Sequence, residues 1–238
     1  MNRNPFSSAL AVLPAEMHSP HVPASARVYA ELRNRIIGLE LPPDTTLVRN
    51  ELSEKFGVSQ SPVREAIMRL EQDGLVVSYP QSRTVVTRID VARIREEHFL
   101  RTAVECDVVR QLAEKPDPDT IRKTKGLLKM QEALIGDVDQ IELFKQLDEA
   151  FHEALFTGVG QANLHQHITA RCGNLARLRS LDLLRTGKMN SVLEGHRAVL
   201  SAIEAGDPAK ASETMRKHLS GTMDRMSKII EDNQNLFA

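Results

Sequence analysis

The segment from Val58 to Leu75 constrains the fold of this chain more than any other part of the sequence. Its apolar residues recur at the spacing of one helix face, namely Val63, Ala66, Ile67 and Leu70. Ser59 or Ser61 can cap the start of this helix, and Gly74 suits its end. The spacing therefore predicts an amphipathic helix whose polar side faces solvent.

The flanking segments extend this helix into a domain. Residues 49–56 are expected to form a shorter helix, and Gly57 provides the turn between the two. Residues 26–37 show helical periodicity, and the β-rich runs 75–79 and 84–88 predict a hairpin. We therefore expect a winged helix-turn-helix domain over residues 25–89, a unit whose second helix enters the DNA major groove.

Local charge alone does not establish DNA binding. Residues 26–88 contain nine Lys or Arg and eight Asp or Glu, a net charge of +1, and a structural helical domain would fit the same pattern. A few well-placed cations are nevertheless sufficient for phosphate contacts. We expect the main DNA contact to be Arg64, on the outer side of the second helix. The assisting contacts would be Arg49, Ser59, Gln60, Ser61 and Arg83.

The same residues resemble the GntR-type bacterial regulators. The Pro-Val-Arg-Glu-Ala core of that family stands at 62–66, and the likeness continues through 36–38, 41–43, 57–59 and 70–75. The resemblance implies binding to double-stranded operator DNA by a homodimer. The chain departs from the family pattern at three places. Gln60 stands where the family often has Arg, Asp44 stands where it usually has Gly, and the wing tip lacks the usual Gly. These departures imply a base preference that differs from common family operators.

The composition indicates a helical protein, and a DNA-binding protein is expected in the cytoplasm. Of the 238 residues, 41% are hydrophobic, none is Trp, and no apolar run approaches the roughly 20 residues that a membrane span needs. Residues 1–24, with their Pro and Ser, are expected to be a flexible arm. Cys106 and Cys172 lie in helical patterns and are expected to be buried, reduced thiols.

The remainder of the chain, residues 90–238, is predicted to be all-helical. Breaks at Pro and Gly separate six helical segments: 90–114, 118–135, 138–157, 162–185, 189–205 and 208–233. The fold class is therefore mainly α, with an N-terminal winged helix-turn-helix and a C-terminal six-helix effector bundle. We expect the C-terminal domain to bind a metal and an effector and to form the dimer.

Four polar residues interrupt the apolar stripes of the bundle. Asp148 and His152 are four residues apart on the inward face of the third segment, His196 lies on the fifth and His218 on the sixth. A single inward His is usually a hydrogen-bonded core residue. Three of them with an inward Asp form a natural ligand set for a divalent ion, which we expect to be zinc, with nickel or manganese as alternatives.

A second resemblance covers this half. The pattern Asp148-Glu-Ala-Phe-His152, with His196 and His218, is similar to the FadR-type branch, whose all-helical FCD domain often binds a metal through one Asp and three His. Six helices that start directly after the wing resemble the VanR-like version. The resemblance implies a small organic acid as effector.

Arg101 is the main candidate for holding that acid. It either forms an i,i+4 pair with Glu105 on a solvated face, or points inward and clasps a carboxylate. His98, Arg171 and Asn174 are weaker effector-binding candidates, and His165 and His167 are expected at the surface.

Three functions remain open at this stage. The first is a ligand-responsive transcription regulator, a repressor of a catabolic operon that a small carboxylate releases from DNA. The alternative is a metal-dependent hydrolase or lyase with an accessory helix-turn-helix domain, and a third reading is a purely structural metal. The zinc-protease motif His-Glu-x-x-His is broken, because Phe156 stands where its second His is needed. We therefore expect a protein that is not an enzyme.

Overall fold

The computed structural model describes residues 22–79, 83–185 and 187–238. These residues form two compact units, which divide between Thr87 and Arg88. Most of the expected N-terminal arm and the wing tip at 80–82 lie outside the described residues.

The first unit combines three helices with a small antiparallel sheet. Its elements are α1 Ala24–Ile37, β1 Thr46–Leu47, α2 Arg49–Phe56, α3 Gln60–Gln72, β2 Val76–Ser78 and β3 Thr84–Val86. The strand order is β1-β3-β2, so the predicted hairpin pairs β2 with β3, and β1 adds an edge that the sequence patterns did not predict. The architecture is the expected winged helix-turn-helix.

The core of this unit follows from the apolar face of α3. Val63, Ala66 and Leu70 are fully buried, and they pack against apolar residues of α1 such as Leu32 and Ile36. Burying a side chain of this size contributes roughly 1.5–3 kcal/mol. The opposite face of α3 is left in solvent, which is the arrangement that a DNA-reading helix needs.

Left-handed backbone occurs at four described positions of this unit, Leu39, Asp44, Gly57 and Gly74, and two of them bear on the expectations from the sequence. Gly57 ends α2 at φ 62°, as expected for the tight turn. Asp44, where related sequences usually have Gly, adopts φ 68°. Asp is among the few residues with a side chain that tolerate this region, so the departure is compatible with the turn.

The second unit is helical throughout its described residues. Its α-helices are α4 Val91–Glu114, α5 Pro118–Ala133, α6 Ile141–Gly158, α7 Ala162–Arg171, α8 Gly173–Leu183, α9 Lys188–Glu204, α10 Pro208–Met223 and α11 Met226–Asp232. Short 3-10 turns lie at Val138–Gln140 and Gln234–Leu236. Asp90, Asp117 and Asp207 cap the starts of α4, α5 and α10 with their side chains.

Two of the six expected segments are each interrupted, which makes eight α-helices among the described residues. The segment 162–185 breaks at Cys172, where the buried carboxylate of Glu97 accepts hydrogen bonds from Leu175 N at 2.7 Å and Asn174 Nδ2 at 2.9 Å. This tertiary contact fixes a new helix start that local periodicity does not reveal. The segment 208–233 breaks at 224–225.

A buried ion cluster joins the later helices. Asp182 on α8 is fully buried and accepts hydrogen bonds from Thr222 Oγ1 at 2.8 Å and from Arg225 Nη2 at 2.7 Å. Lys188 Nζ lies 3.0 Å from the same carboxylate. The Asp182 carboxylate therefore links α8 to α9 and to the break between α10 and α11.

The two ends of the second unit meet. Ile89 N donates to Leu236 O at 2.9 Å, and Ala238 N donates to Ile89 O at 3.0 Å. Ile89 and Phe237 are both buried there. Among the described residues, no helix combines the length and apolar character that crossing a membrane requires.

Candidate functional sites

The outer face of α3 carries the expected DNA contacts. Gln60, Ser61 and Arg64 are all exposed. Within the described parts of the chain, Arg64 forms no ion pair, so its guanidinium is available to a phosphate or a base edge. Gln60 Nε2 donates to Asn50 Oδ1 at 2.7 Å, which ties the start of α3 to α2.

A second arginine of the same helix has a different role. The guanidinium carbon of Arg69 lies 4.0 Å from the centre of the Tyr29 ring, and Tyr29 Oη donates to Asp73 Oδ2 at 2.5 Å. Burial and then the hydrogen bond to Asp73 raise the pKa of Tyr29 to about 12. Arg69, Tyr29 and Asp73 therefore join α1 to the end of α3.

The remaining candidates are solvent-exposed. They are Arg49 at the start of α2, Ser59 just before α3, and Arg83 beside β3. The Ser59 side chain makes no capping hydrogen bond, and Ser61 lies inside the helix, so neither serine caps α3 as the sequence suggested.

In the second unit, the four predicted ligands come together. Asp148 and His152 project from α6, His196 from α9 and His218 from α10, and one donor atom of each lies within 4.8 Å of the others. The imidazole centres of His152, His196 and His218 are 4.6–5.4 Å apart. Three helices thus deliver one carboxylate and three imidazoles to a single point.

Burial leaves several of these atoms unsatisfied. His152 and His196 are fully buried and Asp148 is 6% exposed. Asp148 Oδ1, His152 Nε2 and His196 Nε2 make no hydrogen bond with any residue that the structure describes. Buried polar atoms normally have a partner. A divalent cation fits this donor set, since one hard oxygen and imidazole nitrogens are common ligands of zinc and related ions.

Side chains from two neighbouring helices contact the Nδ1 atoms of His196 and His152. His196 Nδ1 lies 2.9 Å from Gln131 Oε1 on α5, and both residues are fully buried. His152 Nδ1 lies 2.6 Å from Glu105 Oε2 on α4. The Phe151 ring stacks on His196 with ring centres 4.0 Å apart.

The electrostatics keep the cluster in a ligating state. Burial lowers the pKa of His196 to about 3 and that of His218 well below its usual value, so both imidazoles are neutral at neutral pH. Burial alone would raise the pKa of Asp148, but the Arg179 guanidinium, with smaller help from the imidazoles and Arg101, holds it well below the usual range. Neutral imidazole and carboxylate are the forms that bind metal ions.

Two alternatives were expected for Arg101: a surface pair with Glu105, or an inward side chain that binds a carboxylate. The structure has part of each. Arg101 points inward and is 7% exposed, but its Nε donates to Glu105, so the i,i+4 pair forms in the interior and not on a solvated face. The cation that reaches Asp148 directly is Arg179 on α8, whose side chain is 28% exposed.

The weaker effector candidates lie on α4, at the end of α7 and at the start of α8. Asn174 is buried, and its Oδ1 accepts from Asp90 N at 3.0 Å and from Arg177 Nη2 at 2.8 Å. Arg171 is exposed at the end of α7. His98 is half-buried one turn before Arg101 and lies 3.5 Å from Thr102 Oγ1.

One surface expectation was wrong. His165 is buried, and its Nε2 lies 3.1 Å from Glu149 Oε1, whereas His167 is exposed as expected. The carboxylate partner was not apparent from the sequence, because Glu149 lies on a different helix.

Sequence reasoning also missed four residues around the cluster. They are Glu105, Gln131, Arg179 and Gly195. The inward spacing of Glu105 was visible, but its contact with His152 was not. Gln131 and Arg179 come from helices that carry none of the four ligands, so only the three-dimensional packing reveals them.

Comparison with known proteins agrees with this architecture. Residues 24–86 match the model of bacterial regulatory proteins of the gntR family, and residues 97–221 match the FCD domain. An HTH-type transcriptional regulator from an unstable DNA locus of Streptomyces ambofaciens is 36% identical over 89% of this chain and 88% of its own length. The HTH-type transcriptional repressor RspR of Escherichia coli K12 is 28% identical over 92% of this chain and 96% of its own.

Solved structures show the same fold. McbR/YncC of E. coli superposes with a TM-score of 0.72 at 19% identity, covering 87% of this chain and 98% of its own. A GntR-type regulator from Rhodococcus sp. RHA1 gives a TM-score of 0.65 at 23% identity, covering 87% and 97%. With the matches to both domain models and the 36% identical relative, they lead to one conclusion: the chain belongs to the GntR family of bacterial transcription regulators, in the group that carries an FCD domain.

Proposed function

We propose that this protein is a ligand-responsive repressor that binds operator DNA through α3 and senses a small organic acid through the FCD unit. The observation that carries the proposal is the cluster of Asp148, His152, His196 and His218, whose side chains converge on one point. The first three are buried and each has an atom without a hydrogen bond. An effector-binding unit joined to a DNA-binding unit in one chain is what regulation by a metabolite requires.

The chemistry of the cluster favours an anionic effector. A divalent ion held by the four residues would supply positive charge and exchangeable coordination positions. Arg179 adds a partly exposed guanidinium next to Asp148, and guanidinium groups bind carboxylates with paired hydrogen bonds. Arg101 adds positive charge from the interior, although Glu105 compensates it. We therefore assign the main carboxylate contact to Arg179, and a structural role to Asn174.

Zinc is the metal we propose, with nickel or manganese as alternatives, because this ligand set does not discriminate strongly. An enzyme is not favoured, since the relatives are named transcription regulators and His152-Glu153 lacks the second histidine of a zinc-protease motif. We also propose a cytoplasmic location and the VanR-like branch, the latter supported by α4 beginning at Val91 directly after the wing.

We further propose a homodimer that pairs two copies of α4 in an antiparallel arrangement. Phe99 on this helix is 75% exposed, and Ala103 leaves room one turn later. If the two antiparallel helices cross at the level of Arg101, Phe99 faces Ala103 of the partner subunit. In the same register, the exposed Arg95 faces Asp107 of the partner subunit. The apolar contact and the charge complementarity favour a second copy as the occupant of this face.

The metal proposal is tested with a double variant, His196→Ala with His218→Ala. Metal analysis is expected to show the ion lost, while operator binding survives and small organic acids no longer release the DNA. The control is His167→Ala, an exposed histidine that leaves metal content and response unchanged. A double variant that keeps its metal and its effector response would contradict the proposal.

The dimer is tested by sedimentation. Phe99→Asp is expected to shift the protein toward monomers and to weaken operator binding, because a palindromic operator needs two helix-turn-helix units. Val138→Asp changes another exposed apolar residue, 67% exposed, and is expected to leave the dimer intact. If Phe99→Asp sediments as the wild type does, the α4 face is not the interface.

A further inference from the structure

We infer that Gln131 and Glu105 are positioning residues that decide which nitrogen of His196 and His152 is offered to the metal ion. The inference rests on the proposed metal site and deepens it. Each residue lies on a helix, α5 or α4, that carries none of the four ligands. The Gln131 side chain contacts Nδ1 of His196, and the Glu105 side chain contacts Nδ1 of His152.

The contact between His196 and Gln131 is the clearer of the two. The Gln131 amide oxygen is only an acceptor, so the His196 nitrogen 2.9 Å away must carry the proton. That nitrogen is Nδ1, and the lone pair of the neutral ring is therefore on Nε2. His196 Nε2 is the atom that makes no hydrogen bond among the described residues and lies 3.4 Å from Asp148 Oδ1.

The second contact is electrostatic, because the geometry of Glu105 Oε2 and His152 Nδ1 is not that of a hydrogen bond. Glu105 Oε2 lies 2.6 Å from His152 Nδ1, and the other oxygen of the same carboxylate accepts from Arg101 Nε. A carboxylate behind an imidazole favours the proton on the facing nitrogen and makes the opposite nitrogen a better donor to a metal. Arg101 thus acts on the site through Glu105, by orienting that carboxylate.

This arrangement ties the two helices without ligands to the state of the metal site. Movement of α4 or α5 would turn the ring of His152 or His196 away from the common point. Because α4 follows directly on the DNA-binding unit in sequence, the contact between Glu105 and His152 connects the metal site to the helix nearest that unit along the chain.

The alternative is that both contacts are only packing, and Gln131 separates the two cases. Gln131→Met keeps a similar volume but removes the acceptor, whereas Gln131→Glu keeps an oxygen in the same place. If Gln131 positions His196, Gln131→Met weakens zinc binding and Gln131→Glu restores it. If Gln131 only fills space, neither substitution changes zinc affinity beyond its effect on folding.

The experiment is a competition titration of the full-length apoprotein with Zn²⁺ and a coloured chelator. Gln131→Met is expected to weaken zinc affinity about 10- to 100-fold, the usual effect of losing such a partner, and Gln131→Glu to remain within about threefold of the wild type. The melting temperature of each apoprotein reports folding separately. Nitrogen-15 NMR of the zinc-loaded wild type is expected to show a protonated Nδ1 on His152 and His196.

The outcomes distinguish this inference from the proposed function. A wild-type protein that binds no zinc, nickel or manganese overturns the metal site itself. A wild-type protein that binds zinc, together with a folded Gln131→Met variant of equal affinity, overturns only the positioning role. Zinc-loaded wild-type protein in which Nε2 of His152 carries the proton would also contradict the inference.

Discussion

The imidazole of His218 occupies the space that a side chain on Gly195 would fill. A Cβ atom placed on Gly195 would come within 2.4 Å of His218 Nδ1 and 3.1 Å of its Cγ. The first distance is too short for a real contact and the second is unusually tight, and the obstructing group is a ring within a packed bundle. The absence of a side chain next to His196 is therefore what admits the fourth member of the cluster.

This relationship predicts that Gly195→Ala disrupts metal binding. The added methyl group pushes the His218 ring off its position, so we expect zinc affinity to fall by at least ~10-fold, as for other losses of ligand orientation. The control is Gly126→Ala on α5, where a Cβ meets nothing within 4 Å. That variant is expected to keep zinc affinity and to stabilise its helix by up to about 1 kcal/mol. Equal zinc affinities for the two variants would refute the prediction.

Arg64→Ala is expected to weaken operator binding by about 1–3 kcal/mol without loss of folding, because the side chain is exposed and unpaired among the described residues. Arg69→Ala on the same helix is the matched control. It should leave operator affinity almost unchanged but reduce stability by roughly 0.5–1 kcal/mol, because it removes the cation from the Tyr29 ring. Fluorescence anisotropy with operator DNA measures the first effect and urea unfolding the second. If Arg64→Ala binds operator DNA as tightly as the wild type does, α3 is not the helix that reads the DNA.

Ionisation of Tyr29 is expected to lower the stability of the first unit at high pH. The chain has two tyrosines and no tryptophan, so a Tyr79→Phe background makes tyrosinate absorbance report Tyr29 alone. Its midpoint is expected at about 12, above the ordinary value of about 10. Because the folded pKa is the higher one, its stabilising contribution is complete below about pH 10 and disappears between about pH 10 and 12. The difference in unfolding free energy from Tyr29→Phe in the same background should fall over that interval, and a flat difference would show that neither burial nor the bond to Asp73 raises this pKa.

Asp182→Asn is expected to destabilise the second unit by about 3–5 kcal/mol. The substitution leaves Lys188 and Arg225 without the buried charge that compensates them. Asp119→Asn removes a carboxylate whose side chain is 78% exposed and which pairs with Arg122 at the surface, so it should change stability by less than about 0.5 kcal/mol. Denaturant unfolding compares the two variants, and similar midpoints would show that the buried cluster contributes little.

Local periodicity was sufficient to predict most helices and the four side chains that the structure brings together. Asp148 and His152 are four residues apart on an apolar stripe, and that spacing alone places them on one inward face. The residues behind the ligands were not predictable in the same way. Gln131 lies in a different helix from His196, and their hydrogen bond depends on how α5 packs, which no local pattern contains.

The breaks in the helices have a similar explanation. Gly173, next to Cys172, is a weak helix former, but a single Gly inside a helical pattern is tolerated, so the pattern predicts a continuous helix. The buried carboxylate of Glu97, contributed by α4, supplies a capping partner for Leu175 N and ends that continuity. The strand β1 was missed because only Thr46 and Leu47 pair with β3, too short a run for an alternating pattern to be recognised.

The pairing of Ile89 with the residues around Phe237 bears on how the protein is made. During synthesis, the last strand of the DNA-binding unit, Thr84–Val86, leaves the ribosome long before residues 236–238 exist. The first unit therefore has all its strands and helices available for folding while the chain is still growing. The helical unit lacks the partners of Ile89 until residues 236–238 have been made, so a chain stalled before them would have a complete first unit and an incomplete second unit.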